Sequence, residues 1–188
     1  EHRMTEQKSA SHGQNVRDFI FGFNDGIITT LAIVAALTGA GVKDIIIIFT
    51  GIANILADGI SMSLGGYISS KSQVDVYKRA KEKELHEIET IPDVERDEIR
   101  EIYRKKGFQG DDLEKAVNVI TSDKDRWLDV MMKEELGLVE SNFPNPLKVG
   151  TIIFFSFLIG GAIPLVPYLI IKNLDVALVS AVTISLIS

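Results

Sequence analysis

Apolar positions along this chain fall into long unbroken blocks rather than periodic stripes. Phe19–Thr38, Ile45–Ser70 and Val149–Ile171 each reach the roughly 20 residues a helix needs to cross the hydrocarbon core of a bilayer. Val176–Ser188 opens a fourth block of the same character. Residues 152–171 (IIFFSFLIGGAIPLVPYLII) lack the polar stripe of 3.6-residue period that a surface helix of a soluble protein carries. A chain of 188 residues is too short to surround three such helices with soluble structure. The pattern predicts an all-α fold: polytopic membrane helices, with a charged helical domain inserted between the second and third spans.

Inside the insert the pattern changes to amphipathic helix. Residues 71–91 are rich in helix formers and contain neither Gly nor Pro. The second span is predicted to run straight into this helix. Pro92 is expected to end it, with Asp93 as N-cap of a helix over Val94–Lys106 and Gly107 at its C-cap. Asp111–Ser122 reads as a third helix, with Leu113, Ala116, Val117 and Ile120 on one face, and Asp123–Glu140 as a fourth. Asn142–Pro146 (NFPNP) reads as a breaker. The expected organisation is a polar tail or interfacial segment over 1–18, two membrane helices over 19–70, the insert over 71–146, and a third span with the start of a fourth over 147–188.

Charge sharpens this division. The net charge is −6, and residues 71–148 hold 15 Lys/Arg and 19 Asp/Glu, whereas 26–42 and 149–171 hold none. The acidic balance argues against nucleic acid as a partner, because phosphate binding needs a cationic surface. With no cysteine, disulfides and thiolate metal sites are excluded. The basic residues cluster in the insert, while the opposite connections hold Lys43 and Lys172, so the positive-inside rule places the insert in the cytoplasm.

Two groups of residues carry candidate chemistry. In the insert, Glu84/Glu87 and Glu95/Glu98 are pairs three apart, each on one helix face. The turn at Pro92 lets both pairs point to one place. Like charges gathered there repel unless a cation joins them. Met131, Met132 and Glu135 add two thioethers and a carboxylate; carboxylates suit Mg²⁺, Ca²⁺ and Mn²⁺, and thioether shifts preference toward softer ions such as Fe²⁺. In the membrane blocks, Asp25 lies near the start of span one and Asp58 in the middle of span two, where ionisable groups are costly and mark ion or proton routes. Asn54, Asp58 and Met62 share one face at four-residue spacing.

The stretches RDFIFGFNDGIITTLAIVAALTGAG (17–41) and GIANILADGISMSLGGYISSKSQ (51–73) resemble the first two membrane helices of the vacuolar iron transporter (CCC1-like) family. The resemblance extends over residues 17–188 and implies a homodimer of five-helix subunits with a translocation path at the dimer interface. It implies export of Fe²⁺ from the cytosol in exchange for protons, with Mn²⁺ in some members and Co²⁺ or Zn²⁺ as related cargo, and no prosthetic group. The membrane is of the cell-surface or vacuole type. The family's metal ligands fall on Glu84, Glu87, Glu95, Glu98, Met131, Met132 and Glu135, and its in-membrane pair on Asp25 and Met62. Two departures stand out. Many members carry Glu where this chain has Gly66, before Tyr67, and the sequence stops within the expected fourth span. The rival reading is a membrane-anchored metal sensor or store without transport, which leaves Asp25 and Asp58 without a purpose.

Overall fold

The computed structural model describes residues 2–139, 143 and 145–188, with side chains from residue 13 onward. Among them the secondary structure is helical, without strands. The chain forms two compact units, residues 1–71 with 144–188, and residues 72–143.

The first unit contains α1 (His2–Gly39), the first half of α2 (Asp44–Thr90), α6 (Pro146–Ile170) and α7 (Leu174–Ile187). Three helices are long and apolar enough to cross a membrane, over Gly13–Gly39, within Asp44–Thr90, and over Pro146–Ile170; α7 is apolar but shorter. The backbone of residues 2–18 is helical and continues into the first span without a break. Asn145 caps α6 by accepting from the N–H groups of Leu147 and Lys148, and Pro146 follows at the first helical position, where its missing N–H costs nothing. Asn142 and Pro144 of the expected breaker lie outside the described residues. Pro164 and Pro167 both sit inside α6.

Helix α1 buries Asp18, Gly22, Gly26, Thr30 and Val34, a stripe of four-residue spacing. That stripe faces α6: a Cβ on Gly26 would meet the carbonyl of Phe157, and one on Gly160 would meet the carbonyl of Phe23. Small residues therefore let the two backbones touch, as is usual for helices packed in lipid. At the other end Thr38 and Tyr168 hydroxyls hydrogen-bond at 2.8 Å. Helix α2 packs on α6 in the opposite direction, with Gly51 against Leu165, Ile55 against Gly161, and Ser63 donating to the Gly150 carbonyl at 2.9 Å. Gly66 faces Ile153, so α6 fills the space where a longer side chain in this position would begin. Large apolar side chains such as Phe49, Leu56, Ile68 and Leu169 stay exposed, a surface suited to lipid rather than water.

The second unit is built differently. The second half of α2, α3 (Pro92–Lys105), α4 (Gly110–Thr121) and α5 (Lys124–Val130) enclose a core around Ile88, Ile99, Val117, Trp127 and Leu128. Salt bridges join its helices at the surface: Arg100 to Glu114, Lys124 to Glu89, and Lys106 to Glu134. Two expectations need correction. Ile91, not Asp93, is the N-cap of α3; Pro92 takes the first helical position, so the helix starts earlier and Asp93 lies in its first turn. The helix expected over Asp123–Glu140 is α5 followed by a π turn, Met131–Glu135, and stops there. Gly137, with φ +65°, turns the chain away.

Candidate metal centre

The carboxylates of the second unit come from three separate segments. Glu84 and Glu87 lie on α2, Glu95 and Glu98 on α3, and Glu135 at the end of the π turn. Pro92 makes the sharp start of α3 that turns the second pair toward the first. Among the described residues, two sets of three carboxylates have oxygens within 4.8 Å of one another: Glu84 with Glu98 and Glu135, and Glu84 with Glu87 and Glu95. Glu84 belongs to both. By spacing the four glutamates are equivalent; the folded chain makes Glu84 the common member.

Burial makes this cluster costly. Glu84 and Glu95 are each 3% exposed, and charges so placed must be paired or neutralised. Their carboxyl oxygens lie within 4.8 Å of one another. Desolvation first, then the close carboxyl of Glu84 and the charges of Glu98 and Glu87, push Glu95 up to about 8. Desolvation also raises Glu84, and raises Glu135 to about 7 with help from Glu98 and Glu84. Glu95 Oε2 is buried without a hydrogen-bond partner. One cation intrudes: Lys83 bonds Glu87 at 2.8 Å from an exposed position. The cluster therefore holds protons where a divalent ion is absent, and its donor set of carboxylate oxygens fits such an ion.

Met131 and Met132 are both buried, in the apolar core with Ile99 and Trp127. The π turn explains how two neighbouring side chains are enclosed at once. Its bonds run from Leu136 N–H to the Met131 carbonyl, widening the helix by one residue. Such turns recur at functional sites. His86 is exposed.

The membrane candidates are arranged otherwise. Asp25, Asn54, Asp58 and Met62 are each half-buried. Met62 packs against the core of the first unit. Asn54 Nδ2 is buried without a hydrogen-bond partner, and Thr29 bonds the Asp25 backbone carbonyl at 2.8 Å. Neither Asp25 nor Asp58 belongs to a set of three converging ligands among the described residues. Reasoning from sequence missed Asp18, a buried acid read as part of a polar tail; its signal was the four-residue spacing to Gly22 and Gly26.

Comparison with known proteins gives the same direction throughout. Residues 16–188 match the model of the VIT family. A vacuolar iron transporter of Centaurea cyanus is 41% identical over 93% of this chain and 71% of its own length. Vacuolar iron transporter 1 of Arabidopsis thaliana is 37% identical over 96% and 72%. A vacuolar iron transporter of Plasmodium falciparum is 40% identical over 82% and 58%. The chain belongs to the VIT family, a family of transporters rather than enzymes.

Proposed function

We propose that this protein carries Fe²⁺ out of the cytosol into a vacuole-type compartment in exchange for protons. The observation that carries this reading is the pair of carboxylate sets sharing Glu84. Buried acids that repel one another are relieved by a divalent cation, so the cluster collects the cargo. The second unit is cytoplasmic in this reading, supported by the concentration of Lys and Arg within it. Glu84, Glu87, Glu95, Glu98 and Glu135 bind the ion, and Met131 and Met132 supply the soft donors that favour Fe²⁺ over Mg²⁺, with Mn²⁺, Co²⁺ and Zn²⁺ as competitors. Ions then pass along a membrane route formed by Asp25, Asn54, Asp58 and Met62 where two copies of the chain meet as a homodimer. Asp25 binds metal or proton in turn, and that competition couples the two flows.

Reconstitution in liposomes tests the exchange. Fe²⁺ uptake is expected to rise with an opposing proton gradient, and Asp25→Asn is expected to abolish uptake while Fe²⁺ still binds to the protein. Uptake indifferent to the gradient contradicts the antiport. Metal binding without any uptake supports an anchored sensor or store instead.

A further inference from the structure

Among the described residues of the first unit, Asp18 is the buried charged one, 5% exposed. Its Oδ1 accepts from Arg17 at 3.2 Å, but Arg17 is its chain neighbour and its side chain is 73% exposed, so that pair sits at the outer edge. Its Oδ2 is buried and has no hydrogen-bond partner. A carboxylate oxygen enclosed in this way is costly to keep ionised and bare. Something must occupy it.

Helix contacts locate the group. Gly22 lies against Ile153 and Ser156, and Gly26 against Phe157 and Gly161. Helices α1 and α6 therefore run parallel, and Asp18, one turn before Gly22, is level with the first turns of α6. The charged and titratable groups facing that level are few. Among the described side chains of α1 they are Arg17 and, two turns or about 10 Å further on, Asp25. Helix α6 offers the exposed Lys148. Helix α2 offers Tyr67, buried Ser70 and exposed Lys71, and both Ser70 and Lys71 are engaged in polar interactions. Helix α7 meets α1 toward the opposite end, its acid Asp175 in its first turn.

A divalent cation needs several oxygen donors at once. Among the described residues, the groups of three or more converging acidic or histidine ligands lie in the second unit, and Asp18 is in none of them. A proton needs one oxygen. We propose that Asp18 is a proton-exchanging residue of the transport cycle, separate from the metal ligands. Oδ2 takes up a proton in one half of the cycle and gives it up to water in the other. Protonated, the α1–α6 seam holds no buried charge; ionised, it carries one against α6 and loosens. The proposal rests on the reading of this chain as a proton-coupled carrier.

Two measurements test it independently. Dicyclohexylcarbodiimide modifies protonated carboxyls in apolar surroundings, and mass spectrometry of the whole protein's peptides reads the modification at Asp18. Labelling of Asp18 is expected in acid and is expected to be lost as the pH is raised. No labelling, or equal labelling in acid and at raised pH, overturns the proposal. In liposomes, Asp18→Asn is expected to flatten the pH profile of Fe²⁺ uptake and Asp18→Glu to keep a displaced one; a wild-type profile in Asp18→Asn overturns it. Where Asp18→Asn does not insert, the labelling of the unaltered protein decides. Absence of Fe²⁺ uptake by the unaltered protein removes the transport reading, and the labelling still decides whether Asp18 exchanges a proton.

Discussion

The two units handle charge in opposite ways. In the first, helices touch through glycine and the acids are scattered singly: Asp18 buried, Asp25 and Asp58 half-buried. In the second, amphipathic helices close around Trp127, ion pairs sit on the surface, and five glutamates gather in one place. A lone acid in a span suits a particle that needs one oxygen at a time. A cluster of acids suits an ion that needs many. In the proposed function, that difference separates where cargo is collected from where it is passed on.

The comparison breaks most severely at the α1–α6 seam. Gly160→Leu drives a side chain into the Phe23 backbone and is expected to cost about 3 kcal/mol or more, read as a large fall in the thermal unfolding midpoint in detergent. A similar change at exposed Lys115 in the second unit is expected to move the midpoint within error. Next in size is Glu84→Gln. It removes the carboxylate common to both sets and is expected to weaken Fe²⁺ binding about 100-fold in an anaerobic titration, whereas Glu87→Gln or Glu98→Gln, each in one set, cost less.

Acidity gives a third, smaller effect with a definite sign. Glu95 titrates near 8 in the folded unit against 4.5 for the ordinary group, so between these values the folded state holds a proton that the unfolded state has lost. Stability of the metal-free protein is therefore expected to fall as pH rises from 4.5 toward 8, and to be fully present below 4.5. Fe²⁺ affinity is expected to move the other way, tightening as Glu135, near 7, and Glu95 release their protons. Denaturant midpoints and binding titrations across this range check both directions. The smallest effect belongs to Lys83→Met. Freeing Glu87 from an exposed, solvent-screened ion pair is expected to strengthen metal binding a few-fold at most.

Most of the architecture was legible because unbroken apolar blocks leave few other solutions. The helices of the insert followed from Leu113, Val117 and Ile120 at helical spacing, and these three are buried in α4. Local chemistry at the boundaries was harder. Asp93 is a good cap by type, but Pro92 before it fits the first helical position better. The π turn over Met-Met-Lys-Glu-Glu is made of ordinary helix formers, so its extra residue has no mark in the sequence. The glutamates were visible as pairs three apart, yet spacing within one helix says nothing about which member two other segments approach. Asp18 was hidden by its polar neighbours, since the polar stretch around it gives no sign of burial.

In the proposed function, the cluster around Glu84 collects the ion that the membrane helices carry. Fe²⁺ uptake into liposomes, measured against Fe²⁺ concentration on the second unit's side for the unaltered protein and Glu84→Gln, tests it most directly. A half-saturating concentration raised at least about tenfold is expected, with uptake restored at high Fe²⁺. An unchanged half-saturating concentration in Glu84→Gln would contradict it.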